Sequence, residues 1–92
     1  MNKKHYVNAF NKKWDDCLKQ ARKDIEENNG TLDIVTEMAT EIFEETANAE
    51  EIVGYYIVYH NESALKDWEV NTEGINFTEQ DKEVDRILRE LY

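Results

Sequence analysis

Proline is absent from the 92 residues, so nothing in the composition forces a kink or a break into a helix. Cysteine occurs once, at Cys17. It permits no internal disulfide and makes reducing cytoplasm the expected compartment. The three glycines, at positions 30, 54 and 74, are too scattered for a phosphate-cradling loop. No apolar run approaches the ~18–20 residues of a membrane span, and the first six residues lack the apolar stretch of a signal peptide. Positive charge is also scarce. Eleven Lys and Arg stand against 21 Asp and Glu, for a formal net charge of −10 and a sequence pI near 4.5. Such a protein is repelled by nucleic acid and by anionic lipid, which argues against either as a direct partner.

What is present is enough for a folded domain. Apolar residues make up 40% of the chain and aromatics 11%, so material for a core exists despite the charge. At this length one small acidic domain over 1–92 is expected, with a thin core. The charge is segregated. Residues 1–24 hold Lys3, Lys4, Lys12, Lys13, Lys19, Arg22 and Lys23 against three acids, a balance of +4. Residues 25–92 hold four basic side chains against eighteen acids, a balance of −14. Net charge of about 2–8 already keeps a small domain soluble, so solubility alone is a weak reason for this composition.

Periodicity predicts one long amphipathic helix over 3–28. Tyr6, Phe10, Trp14, Cys17, Leu18, Ala21 and Ile25 share one arc, with cations and acids opposite, several at i,i+4 (Lys12/Asp16, Asp15/Lys19, Arg22/Glu26). Asn28-Asn29-Gly30 supplies its stop. Thr31 then reads as the N-cap of a second helix over about 32–46, with Leu32, Val35, Met38, Ala39, Ile42 and Phe43 as its apolar face. Asp33, Glu37, Glu41, Glu44 and Glu45 occupy a separate arc with no cation on the same helix.

Beyond Ala49 the pattern changes. Gly54–His60 is rich in β-branched and aromatic residues and reads as a strand. Trp68–Val70 and Ile75–Phe77 alternate around a presumed hairpin loop at Asn71–Gly74. A helix through Glu50–Tyr59 competes with this reading, with Asn48 and Glu51 as its capping box. Thr78 caps a last helix over about 79–91, striped by Val84, Ile87, Leu88 and Leu91. The expected fold class is α+β, with two N-terminal helices, a small antiparallel sheet of about three strands and a C-terminal helix; the alternative is all-α.

The inventory for catalysis is poor. His5 and His60 have no second ligand at metal spacing, and Cys17 sits on an apolar arc as a structural thiol. Pairs such as Glu44/Glu45 could hold Mg²⁺ or act as acid and base, but with 21 acids some pairs are inevitable and none is distinguished. The expectation is a non-enzyme with no catalytic residues, no cofactor and no metal.

A cation-free acidic face has another use. Duplex DNA carries one negative charge per ~1.7 Å of axis, and carboxylates at i,i+4 lie ~5–6 Å apart. The row Asp33, Glu37, Glu41, Glu44 and Glu45, continued by Glu50, Glu51, Glu69 and Glu73, is therefore expected to present a DNA-like surface to a basic, DNA-binding cleft. In size, acidity and richness in Asn, Lys, Glu, Ile and Tyr, the whole chain resembles the anti-restriction nuclease (Arn) family of small early proteins of T-even phages. That resemblance implies a homodimeric DNA mimic that inhibits the host restriction endonuclease specific for modified cytosine (McrBC type). It also implies a second partner, the nucleoid protein H-NS, with no direct binding of nucleic acid or membrane. The alternative is a non-catalytic adaptor that recognises its partner through Tyr55, Tyr56, Tyr59 and Trp68.

Overall fold

The computed structural model describes residues 2–92, which contain five α-helices and no strand. They are α1 (Lys3–Glu27), α2 (Val35–Thr46), α3 (Ala49–His60), α4 (Ala64–Asn71) and α5 (Glu79–Leu91), with single 3-10 turns at Leu32–Ile34 and Asn61–Ser63. The chain forms two compact units: one joins the chain up to Phe10 with Asn48–Tyr92, and the other is Asn11–Ala47.

The α+β expectation is overturned in favour of the all-helical alternative. The segment read as a first strand lies inside α3, Trp68–Val70 lies inside α4, and Ile75–Phe77 is an irregular connection between α4 and α5. Local chemistry at the start of α3 explains the first of these. The Asn48 side chain accepts from the Glu51 backbone N–H at 2.9 Å, and the Glu51 carboxylate accepts from the Asn48 N–H at 2.8 Å. This reciprocal pair satisfies two donors that a helix start otherwise leaves orphaned. The β-branched and aromatic residues that follow cost a helix only a few tenths of a kcal/mol each, less than burial of Val53 and Tyr56 returns.

In the larger unit, α3, α4, α5 and the first turns of α1 enclose a core of Tyr6, Val53, Tyr56, Ala64, Trp68, Val84, Ile87 and Leu88. Trp68 stands edge-on to Tyr56, with centroids 5.3 Å apart. Gly54 is where α3 meets α1. A Cβ placed there would lie 2.0 Å from the Tyr6 carbonyl oxygen and 2.6 Å from Phe10 Cβ, so only glycine allows this approach. α5 matches its expected span. The Thr78 hydroxyl accepts from the Asp81 N–H at 3.1 Å, and the Asp81 carboxylate accepts from the Thr78 N–H in return.

In the smaller unit, the remainder of α1 and α2 make a helical hairpin that buries Cys17, Ala21, Ile25, Ala39, Phe43 and Ala47. Trp14 packs edge-on against Phe43 at 6.4 Å. α1 stops as its sequence indicates: Asn29 takes φ 56° and the Gly30 N–H reaches back to the Ile25 carbonyl at 2.8 Å. The predicted second helix is corrected at its start. Thr31 makes no side-chain cap; Leu32–Ile34 form the 3-10 turn, and α2 proper begins at Val35.

Candidate functional site

α2 places its side chains by helical period alone. Ala39 and Phe43 point into the hairpin, while Glu37, Glu41, Glu44 and Glu45 are all exposed on the other side. Asp33, exposed in the preceding 3-10 turn, lies in the first turn of this segment. Glu37 to Glu41 and Glu41 to Glu45 are i,i+4 steps, ~5–6 Å between Cβ atoms. Glu37 through Glu45 span about 12 Å of axis at 1.5 Å per residue. Four carboxylates over that length give one charge per ~3–4 Å, the density of a single DNA strand at 3.4 Å per charge.

None of these five carboxylates is ion-paired among the described residues. The contrast with α5 is instructive. There Glu79 meets Lys82 at 3.3 Å, Arg86 bridges Glu83 and Glu90, and Arg89 bridges Asp85 and Glu69. Hydrogen bonds donated to Glu83 and to Asp85 hold the Arg86 and Arg89 guanidinium groups above their ordinary range. α5 therefore presents a neutralised charge lattice, and α2 a bare anionic one.

The other four predicted residues belong to the larger unit and are differently employed. Glu50 lies 3.2 Å from His5 Nε2. Glu51 is half-buried and committed to the α3 cap. Glu69 pairs with Arg89 at 3.1 Å. Glu73 sits exposed in the turn after α4, with no ion pair among the described residues. Thus Asp33, Glu37, Glu41, Glu44 and Glu45 lie in one unit, and Glu50, Glu51, Glu69 and Glu73 in the other.

The aromatic surface splits in the same way. Tyr56 and Trp68 are core residues, whereas Tyr55 and Tyr59 are exposed with ring centroids 5.1 Å apart. Of the cation–carboxylate pairs expected on α1, Asp15 and Lys19 meet at 3.0 Å, whereas Lys12/Asp16 and Arg22/Glu26 form no ion pair. That Asp15 hydrogen bond raises the affinity of Lys19 for its proton.

No group of three or more His, Cys, Asp and Glu side chains among the described residues is arranged to hold a metal ion. None of the described helices is long and apolar enough to cross a membrane. Comparison with protein-family models, with curated proteins and with solved structures gives no match.

Proposed function

We propose that the protein is a DNA mimic, which occupies the duplex-binding cleft of a basic host protein through the carboxylate face of α2. The observation that carries this reading is the exposed row Glu37, Glu41, Glu44 and Glu45, with Asp33 before it, unpaired among the described residues, where α5 by contrast pairs its acids with its own cations. A helix fixes the spacing of these charges, so binding costs little ordering of the backbone. A partner that has evolved to hold phosphates finds the same sign at a similar pitch. Long-range attraction steers encounter, and added salt weakens it. A restriction endonuclease specific for modified cytosine and the nucleoid protein H-NS are the targets that the family resemblance nominates.

The test is competition. With each candidate target immobilised, the protein should displace bound duplex, and duplex should displace the protein. Poly-glutamate of equal charge should do so poorly, because it lacks the fixed spacing. Reversal of Glu37, Glu41, Glu44 and Glu45 to Lys should weaken binding by at least ~100-fold, as expected for charge pairs at a complementary interface. Circular dichroism should be unchanged. Inhibition that survives this reversal, or binding that duplex cannot displace, refutes the mimic.

One observation favours a second reading, an adaptor with an aromatic contact: Tyr55 and Tyr59 remain at the surface, 37% and 58% exposed. Its complexes would depend on those two rings and respond little to salt.

A further inference from the structure

Between α3 and α4 the chain turns on one residue. Asn61 has φ 53° and ψ −132°, a conformation that a residue with a Cβ adopts only against steric resistance. His60 before it is in the right-handed helical region, and Ala64 opens α4 with φ −53° and ψ −46°. The stretch from Tyr55 to Asn71 contains neither glycine nor proline. A change at Asn61, with slight adjustment of the 3-10 turn that follows, would therefore join α3 and α4 into one helix over 49–71.

The bend is held by contacts around it. The Tyr92 hydroxyl donates to the Asn61 carbonyl at 2.6 Å, and the Lys3 ammonium sits 4.1 Å above the Tyr92 ring. Across the corner His60 Nδ1 approaches Asp67 at 3.1 Å, and the His60 ring stacks on Tyr56 at 4.8 Å. In the bend the Asn61 carbonyl also accepts from the Ala64 N–H; a straight helix would turn it along the axis toward the N–H four residues on and away from Tyr92, so the Tyr92 bond belongs to the bent form.

We infer that Asn61 is the hinge of a domain-swapped dimer, in which the hinge straightens and residues 62–92 of one copy pack on a second copy of this chain. The second copy is the occupant because it alone offers the seat that this segment already fits. Val84, Ile87, Leu88 and Trp68 pack with Tyr6, Val53 and Tyr56, and exchange remakes that core with every apolar contact retained. The two forms then differ at the hinge: the bent form keeps the strain and the latch of Tyr92, and the swapped form releases both. Strained short hinges are the known liability for such exchange. This inference is independent of the DNA-mimic reading, since it uses no residue of the α2 row.

The experiment refolds the full chain at high concentration and measures mass by light scattering after size exclusion. Asn61→Gly, which accepts the bend without strain, should lower the dimer fraction about tenfold. Asn61→Ala, which disfavours positive φ and favours helix, should raise it by a similar factor. Tyr92→Phe, which keeps the ring under Lys3 but removes the latch, should also raise it. A swapped dimer separates only when α4 and α5 undock, so it should persist for hours after dilution, whereas a surface dimer re-equilibrates at once. Should Asn61→Ala fail to fold, the opposite responses of Asn61→Gly and Tyr92→Phe still decide the matter. Equal dimer fractions in the Gly and Ala variants, monomer in every variant, or immediate dissociation on dilution overturns the hinge.

Discussion

Gly54→Ala separates two effects that usually act together. In an exposed helix the exchange would stabilise by ~0.8–1 kcal/mol, since glycine is the poorer helix former. Here the new methyl would stand 2.0 Å from the Tyr6 carbonyl oxygen and 2.8 Å from the Tyr6 carbonyl carbon, both backbone atoms of α1. No rotamer change can relieve that overlap. α1 and α3 must separate by about 1 Å, and a gap of that size forfeits a quarter to a half of each dispersion contact along the seam. Overpacking of this kind costs about 1–3 kcal/mol and occasionally more. With a backbone obstacle on one side, the upper end applies, for a net loss of about 2–3 kcal/mol after the helix gain. A domain of this size loses roughly 4–8 °C of Tm per kcal/mol, so the expected drop is about 8–24 °C. Urea denaturation followed by circular dichroism should show a lower midpoint with unchanged slope. A Tm equal to or above that of the parent would refute the close approach of α3 to α1. Gly74→Ala is the control: nothing lies within 4 Å of a Cβ there, and its cost comes from φ +78° alone.

Three further outcomes follow from the same geometry. Asn48→Ala removes the acceptor for the Glu51 N–H and should destabilise by ~0.5–2 kcal/mol in thermal denaturation, with amide exchange rising first in the opening turn of α3. Neutralising Glu37, Glu41, Glu44 and Glu45 to Gln removes the repulsive pairs 37/41, 41/44 and 41/45. It should raise stability by about 0.5–1.5 kcal/mol at low salt and by less at high salt, and a loss of stability would mean the row serves the fold. Burial raises the Tyr6 and Tyr56 hydroxyl pKa values above 10.0. Both groups favour the neutral form when folded, so their stabilisation is complete below pH ~10 and is lost as pH rises through the folded values. Ultraviolet titration should therefore show two of the five tyrosines ionising late and together with unfolding, whereas a single ordinary titration of all five would contradict their burial.

Much of the α2 face is legible in the sequence. A helix needs only its own period to put Glu37, Glu41, Glu44 and Glu45 on one side and Ala39 and Phe43 on the other. The absence of Lys and Arg between Lys23 and Lys66 already denied those acids a partner nearby in sequence. Legibility failed where partners are remote. Nothing near Glu69 in sequence announces Arg89, twenty positions away, and the ion pair exists because α4 and α5 pack together. Glu51 carried a visible signal, the capping box with Asn48, but the strand-like composition that follows outweighed it.

The sequence by itself determined the long first helix and its stop, the capped last helix, the segregation of charge and the acidic arc of α2. All of these rest on interactions within four residues along the chain. Only the tertiary structure decided that α3 runs on from its local cap through Tyr56, Ile57 and Val58, because these suit a strand or a helix equally until burial chooses. It also decided that Gly54 is a contact point and that Asn61 is a corner. A glycine inside a helix and a bend without glycine or proline both run against local preference, and each exists because packing between distant segments outweighs the local cost.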